Sequence, residues 1–244
     1  MSRIFVATCG IDSWRQRLAS PDKQWRRFYS AFETAVSWEY ASREEHGIPE
    51  SIRNLFRVKD YGKVKLIQAI AEHKVALPGG RACSQCDVWA TINTNKGVLS
   101  LSVEAKAKES FGKETLCQWL AAGKSKRANN NRKLRWEYIS QFLPKLKYFE
   151  TLRYQILHRC ASAIIEAIRL NLKHAAFVVQ AFNAPDSSFD HYKSFCKAAG
   201  MEAIRNSLMM AQVGEISLGI GWADCSTATD EQVATTTFNY VSGK

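Results

Sequence analysis

The hydrophobic residues of this chain recur with two different periods, and the longer period predicts helices. From Asp22 to about Arg43, apolar and aromatic residues occupy every third or fourth position, the spacing that gives a helix one buried face. The same spacing predicts helices over Gly62 to His73, Glu114 to Leu120, Arg132 to Phe142, Leu152 to Leu172 and Tyr192 to Ala199. Helices are therefore expected in six segments distributed along the chain.

The shorter period is that of β-strands. Cys86 to Asn93 and Val98 to Lys106 alternate between two faces, and Thr94-Asn-Lys-Gly97 between them is a turn signal, so a β-hairpin is predicted. Ala176 to Phe182 is a β-branched and aromatic run typical of a buried central strand, and Glu215 to Trp222 is a weaker strand. These strands among helices predict an α/β fold with a central mixed sheet flanked by helices.

The hairpin has a register that the sequence itself can test. If Asn95 and Lys96 form a two-residue loop, Asp87 lies directly opposite Glu104. By the same register, Gln85 lies opposite Lys106. The apolar face is then Val88, Ala90, Ile92, Leu99, Leu101 and Val103, and the polar face is Asp87, Thr91, Asn93, Ser100, Ser102, Glu104 and Lys106. A slip of one residue would mix the two faces, which favours this arrangement.

The two opposed acids indicate a cation site. Directly opposed side chains have Cβ atoms about 4.5 to 5.5 Å apart, and two carboxylates at that distance repel each other unless a cation or a proton lies between them. Mg²⁺ or Mn²⁺ is suited to such oxygen ligands. Lys106 could then orient an attacking water and offset the charge that develops on a phosphate. The alternative is that Glu104 and Lys106 are a solvent-facing pair and Asp87 is a turn residue.

The chain as a whole is basic. It has 34 Lys and Arg against 23 Asp and Glu, a formal net charge of +11 that favours nucleic acid or an anionic membrane surface. No apolar run approaches the ~18 residues of a membrane span, and the start of the chain is interrupted too soon by Asp12 for a secretion signal. We therefore expect a cytoplasmic protein with no membrane partner.

The spacing of the acids and the lysine resembles a known signature. Asp87, sixteen further residues and then Glu104-Ala-Lys106 resemble the PD-(D/E)xK signature of restriction-endonuclease-like nucleases, with Cys86 in place of the proline. The resemblance implies a core of one helix, three mostly antiparallel strands, a second helix and a further strand. It also implies metal-dependent phosphodiester hydrolysis. We expect a single domain over 1–244, with an N-terminal helical part (1–60), a catalytic core (62–182) and a C-terminal extension (183–244).

Longer segments resemble an uncharacterised bacterial family assigned to the same superfamily. They are Leu77-Pro-Gly-Gly-Arg-Ala-Cys-Ser-Gln-Cys-Asp87, Val103-Glu-Ala-Lys-Ala-Lys-Glu-Ser-Phe-Gly112, Leu152-Arg-Tyr-Gln-Ile-Leu-His-Arg-Cys-Ala-Ser-Ala163 and Ser30-Ala-Phe-Glu-Thr-Ala-Val-Ser-Trp-Glu39. This second resemblance bears on the fold and names no substrate.

Many members of the superfamily have a further acid before the hairpin and a glutamine or basic residue after it. Glu39, which lies within a matching segment, is preferred as an additional metal ligand over Glu72 and Glu33. On the predicted helix from Leu152, a polar stripe is formed by Gln155, His158, Arg159 and Ser162. Gln155 and Arg159 would suit contact with a scissile phosphate, and His158 is a further candidate at the nucleic acid.

A basic segment could bind the nucleic-acid backbone. Gly123 to Arg135 carries six positive charges without an acid and is expected to be a mobile loop. Its candidate phosphate contacts are Lys124, Lys126, Arg127 and Arg132. Trp14-Arg-Gln-Arg17 and Gln24-Trp-Arg-Arg27 could also stack on bases, although a helix with inward aromatics and outward arginines explains them better.

Together these observations predict a Mg²⁺- or Mn²⁺-dependent nuclease, with Asp87, Glu104, Lys106, Gln85 and Gln155 at its centre. DNA is favoured as substrate, defence against foreign DNA fits the class, and a homodimer would supply two active sites for a duplex. One alternative is an inactive nucleic-acid-binding protein with the same fold. A third is a redox or zinc protein that uses Cys83 and Cys86, although the odd total of seven cysteines favours structural thiols.

Overall fold

A computed structural model describes residues 8–57 and 61–237 of the chain. The start of the chain, on which the expectation about secretion depends, and the predicted boundary near residue 60 lie partly outside these ranges. The helices are α1 (Asp12–Arg15), α2 (Pro21–Gln24), α3 (Ser30–Ala41), α4 (Glu50–Arg57), α5 (Leu116–Ala121), α6 (Lys126–Ser140), α7 (Tyr154–Arg169), α8 (Asp186–Ala198) and α9 (Asp230–Thr236), with a 3-10 turn at Phe149–Thr151. The strands are β1 (Lys65–Val75), β2 (Ser84–Thr94), β3 (Gly97–Lys106), β4 (His174–Phe182), β5 (Ser207–Val213) and β6 (Ile216–Cys225).

Within the described residues, these strands form one six-stranded mixed sheet in the order β1-β2-β3-β4-β6-β5. The β1-β2-β3 part is antiparallel, β3, β4 and β6 are parallel, and β5 is antiparallel to β6. Helices α7 and α8 pack on one face of the sheet, and α3 and α4 pack on the other. The predicted α/β class, with a mixed sheet flanked by helices, is therefore confirmed.

The hairpin prediction is confirmed in register as well as in position. Strands β2 and β3 pair from Thr94 with Gly97 to Val88 with Val103, which is the alignment given by a two-residue Asn95-Lys96 loop. The predicted apolar side chains pack in the core beneath α3 and α4. The predicted central strand and the weaker strand are also confirmed, as β4 and β6.

The helix predicted over Gly62 to His73 was wrong, because this segment forms β1. As an edge strand, β1 exposes much of its first half, so its side chains do not alternate cleanly between a buried and an exposed face. Its residues favour a helix by propensity, and the hydrogen bonds offered by β2 override that preference.

Two further predictions are corrected by local geometry. The helix expected from Asp22 to Arg43 is divided into α2 and α3, because Phe28 between them has a positive φ of 67° that no α-helix accommodates. Most of the segment expected as a mobile basic loop belongs to α6, which begins with the Ser125 hydroxyl accepting a hydrogen bond from the backbone N–H of Ala128.

Candidate active site

The candidate site lies where neighbouring strands β1 and β2 are both distorted, at Glu72 of β1 and Asp87 of β2. The pairing of Ala71 with Val88 and of His73 with Cys86 places Glu72 across from Asp87, and Glu72 has a positive φ of 54°. On one side of this level, Val88 packs beneath α3 and α4. On the other side, Cys86 accepts a hydrogen bond from Ser102, whose hydroxyl also lies 3.2 Å from the Arg159 carbonyl of α7. The distortion therefore changes which residues of β2 face α7.

Asp87 lies directly before Val88, the first residue of β2 that pairs with β3. Its Oδ2 atom accepts a hydrogen bond of 2.6 Å from the backbone N–H of Ala105, next to Glu104. Gln85, predicted beside Lys106, is not there. Its backbone pairs with Lys74 and its side-chain amide donates to Glu72 Oε2 at 2.6 Å, because the change of face at Asp87 redirects it.

Glu104 is the centre of a buried ion-pair network. The Lys106 ammonium and the Gln155 amide donate to Glu104 Oε1 at 2.7 and 2.6 Å, respectively. The Arg159 guanidinium donates to Glu104 Oε2 at 2.6 Å. The side chains of Glu104 and Lys106 are only 2% and 5% exposed, so these hydrogen bonds replace the water that the charges have lost. The helix α7 that carries Gln155 and Arg159 thus packs its polar stripe against the sheet.

Ser84 connects the remaining members of that stripe and was missed by the sequence argument. Its buried hydroxyl lies 2.8 Å from His158 Nδ1 and 2.8 Å from the Ser162 hydroxyl. It also accepts a hydrogen bond of 3.2 Å from Arg159. A single serine at the start of a strand carries no signal in the sequence, because its direction depends on the distortion at Asp87.

The three acids of this cluster have different pKa shifts. Burial, together with the charges of Glu104 and Glu72, raises the pKa of Asp87 well above its usual range. Burial likewise raises the pKa of Glu72 to about 7, although the hydrogen bond from Gln85 opposes this. For Glu104, burial acts in the same direction, yet the Lys106 and Arg159 charges lower its pKa below the usual value. Glu104 is therefore the acid of the three that loses its proton most readily, and Asp87 and Glu72 hold protons more readily.

These shifts predict a pH dependence of stability. A carboxyl whose pKa is higher in the folded state binds more protons folded than unfolded, so the free energy of unfolding falls as pH rises between the two pKa values. For Glu72 this window runs from 4.5 to about 7, and the loss is of the order of 2 to 3 kcal/mol. We expect Glu72→Gln to remove much of this loss. The measurement is the free energy of unfolding in urea of the parent and of Glu72→Gln, at pH 5 and at pH 8 without divalent metal. If this free energy depends on pH equally in the two proteins, the prediction is contradicted.

A segment between β3 and α5 covers the lysine of this cluster. Phe111 is buried with its ring 5.0 Å from the Lys106 ammonium, and the next residue, Gly112, donates its backbone N–H to Gln155 Oε1 at 2.7 Å. Ser110 lies within hydrogen-bond distance of His191 on α8, at 3.0 Å. We call residues 108–113 the covering loop.

The two other candidate acids have structural roles away from this cluster. Glu39, preferred from the sequence as a metal ligand, lies on α3 across the sheet from α7 and accepts a hydrogen bond from the Trp14 indole at 2.7 Å. Glu33 is fully buried and accepts hydrogen bonds from the backbone N–H groups of Phe28 and Ala228. Glu72 is the acid that joins Asp87, and it comes from a strand rather than from the expected helix.

The predicted nucleic-acid contacts fall into two groups. Lys124, Lys126 and Arg127 are exposed at the start of α6 and free to meet a phosphate backbone, whereas Arg132 donates to the Trp119 carbonyl and lies over its ring. Arg159 is engaged by Glu104, and burial with the Arg159 and Arg135 charges lowers the pKa of His158 well below its usual range. His158 is therefore neutral near pH 7, which does not fit the role of a cation at phosphate.

Cys83 and Cys86, the candidates for a redox or zinc site, differ in their exposure to solvent. Cys83 is exposed, and Cys86 is buried beside Ser102 with a pKa raised by burial to about 11. In the part of the chain that the structure describes, no group of three or more His, Cys, Asp or Glu side chains is arranged to hold a metal ion. Cys86 is therefore buried within the fold, whereas Cys83 lies at the surface.

The residues of the cluster lie within a recognised family region. Residues 7–227 match the family described as Domain of unknown function (DUF6946). The chain belongs to this family. The matched region includes Glu72, Asp87, Glu104, Lys106 and Arg159, so the whole candidate site lies inside the family domain. No curated protein and no solved structure matches the chain. Across the described residues, none of the helices has the length and apolar character needed to cross a membrane.

Proposed function

We propose that this family member is a metal-dependent nuclease that hydrolyses phosphodiester bonds, with DNA as the favoured substrate. The observation that carries the proposal is the meeting of Glu72, Asp87 and Glu104 with Lys106 at the point where β2 and β3 separate. Structural ion pairs rarely need three acids that repel one another, whereas active sites often do.

The order of elements supports a restriction-endonuclease-like core. Helix α4 precedes the antiparallel strands β1, β2 and β3, and after them α7 leads to β4, which is parallel to β3. With α5 and α6 set aside as additions between β3 and α7, this is the order of helix, three strands, helix and strand that the signature implies. With β1 as a strand, the agreement is closer than the sequence argument had it.

The chemistry of the three acids suits Mg²⁺ or Mn²⁺, but among the described residues they are not arranged as a metal-binding group, because Gln155, Lys106 and Arg159 hold both oxygens of Glu104. Within the described residues, Asp87 and Glu72 each have one carboxylate oxygen with no hydrogen-bonding protein partner, and both have raised pKa values that a cation would lower. We propose Asp87 and Glu104 as ligands, with Glu72 in the role that the sequence assigned to Glu39. Gln155 is the neutral donor to Glu104, so releasing its hydrogen bond is the least costly way to open one acceptor position on Oε1, which Lys106 continues to contact.

The protein side chains around this point have separable roles. When bound, the ion supplies positive charge to the phosphate and makes a nearby water more acidic. Lys106 places a second positive charge beside it, where negative charge develops during phosphate hydrolysis. Arg159 keeps Glu104 ionised and in place, which the lowered pKa of Glu104 reflects.

The proposal is tested by incubating the purified chain with single-stranded DNA, duplex DNA and RNA, in Mg²⁺, in Mn²⁺ and in EDTA. We expect cleavage of at least one substrate with metal and none with EDTA. Absence of cleavage under every condition would refute the proposal. Defence against foreign DNA and assembly as a homodimer are further parts of the proposal, inferred from the enzyme class.

One observation favours a second candidate, a nucleic-acid-binding protein without turnover. Both Glu104 oxygens are already bound by protein donors, and Lys106 is buried beneath Phe111. This candidate predicts binding that weakens steeply with salt and is insensitive to EDTA, with no cleavage.

A further inference from the structure

Phe28 is an exposed aromatic residue held in an unfavourable backbone conformation. Its side chain is 45% exposed and its φ is 67°, a value that is strained for a bulky residue. A hydrogen bond to a buried acid holds this conformation, because the Phe28 N–H donates to Glu33 Oε1 at 2.7 Å and Glu33 is fully buried. Packing does not explain why an aromatic ring is kept here, since this ring is not part of the buried hydrophobic core.

The ring is flanked by cations. The Arg27 guanidinium lies 5.2 Å from the ring centre and the Lys108 ammonium lies 5.5 Å from it. Arg27 is also paired with Asp230 at 2.9 Å. In the described ranges, Lys108 has no carboxylate within salt-bridge distance, and its ammonium lies 5.9 Å from the Tyr29 ring. We call Arg27, Phe28, Tyr29 and Lys108 the Phe28 platform.

The Phe28 platform lies at the same end of β3 as the candidate site. Lys108 follows Lys106 by two residues, and two residues of chain span at most about 7 Å. Lys106 itself is buried, but a nucleic-acid strand held at the candidate site would pass the exposed platform within a few nucleotides. Aromatic rings beside cations bind unpaired bases by stacking, and every base offers a face for this contact, whereas the bases of a duplex are already stacked.

We propose that the Phe28 platform stacks an unpaired base and that the protein binds single-stranded nucleic acid in preference to duplex. The inference rests on the proposed function for its substrate class, and it concerns binding rather than hydrolysis. The basic start of α6 supplies no such selectivity, because phosphate contacts are shared by single strands and duplexes.

The test is the affinity of the full chain for a labelled oligothymidylate and for a hairpin duplex of equal length, measured by fluorescence anisotropy in EDTA. We expect tighter binding of the single strand. Phe28→Ala should weaken that binding about 5- to 100-fold, and Phe28→Trp should preserve it. Lys108→Ala should reduce the slope of the logarithm of the binding constant against the logarithm of the salt concentration by about one.

Two variants separate stacking from folding. Phe28→Gly removes the ring and relieves the strain at positive φ, so its melting temperature should equal or exceed that of the parent while binding is lost. Tyr148 is the matched control, since it is 83% exposed with a φ of 53°, and among the described residues no lysine or arginine lies over its ring. Tyr148→Ala should bind as the parent does.

Unchanged binding by Phe28→Ala and Phe28→Gly, or equal affinity of the parent for duplex and single strand, would overturn the inference. So would a parent protein that binds neither. Binding that depends on Phe28 without any metal-dependent cleavage would support the platform and reject the nuclease. Metal-dependent cleavage together with binding that is unchanged by substitution of Phe28 would support the nuclease and reject the platform.

Discussion

Replacing Asp87 with Asn is expected to lower the rate of phosphodiester cleavage at least about 100-fold while leaving the protein folded. The amide keeps an oxygen that can accept the hydrogen bond from the Ala105 N–H. It removes the negative charge that a divalent ion requires. Because the charges of Glu104 and Glu72 raise the pKa of Asp87, the neutral side chain should also make the protein equally or more stable at pH 8 without metal.

The measurement is the initial rate of cleavage in Mg²⁺, with thermal unfolding followed at pH 8. Glu39→Gln is the matched control, since Gln can still accept the hydrogen bond from Trp14 and lies away from the cluster. The control should cleave at the parental rate. Full activity in Asp87→Asn, or an equal loss in Glu39→Gln, would show that the active site is elsewhere.

Replacing Arg159 with Met is expected to have the largest effect on stability, lowering the free energy of unfolding by about 3 to 5 kcal/mol. Arg159 is the only described donor to Glu104 Oε2, at 2.6 Å, and the Glu104 side chain is 2% exposed. Without the guanidinium, a buried carboxylate oxygen loses its hydrogen bond and the Ser84 hydroxyl loses a donor.

Urea unfolding at pH 7 measures this loss, and two further variants qualify it. Arg15→Met breaks the exposed pair with Asp22 and should cost less than about 1 kcal/mol. Adding Glu104→Gln to Arg159→Met should recover part of the stability, because the unpaired charge is then absent. A loss no greater in Arg159→Met than in Arg15→Met would mean that the Glu104 network contributes little to folding.

The sequence was sufficient for those parts of the site that depend on local periodicity. The two-residue turn determines the register that brings Asp87 to the level of Glu104, and helical spacing places Gln155 and Arg159 on one stripe. The hairpin register depends only on residues within one hairpin, and the polar stripe depends only on residues within one helix. The same locality explains why the α/β class could be predicted.

The rest of the site depends on contacts between distant segments. Glu72 joins the cluster only because β1 pairs with β2, and the helical propensity of that segment points the other way. Ser84 and Gln85 take their directions from the change of face at Asp87, which no spacing in the sequence signals. Glu39 was preferred because it lies within a matching segment, and the structure uses it to hold Trp14.

The covering loop has a consequence for how the proposed enzyme is controlled. Phe111 lies over Lys106, and Gly112 is hydrogen-bonded to the same Gln155 that holds Glu104, so the loop covers the lysine to which the proposed function gives a role at the phosphate. Under the proposed function, substrate entry requires Phe111 and Gly112 to move, and that movement would break the hydrogen bond from Gly112 to Gln155. If the proposed function is correct, exposure of the site has to precede cleavage, and the rate of loop opening would limit the rate of the enzyme.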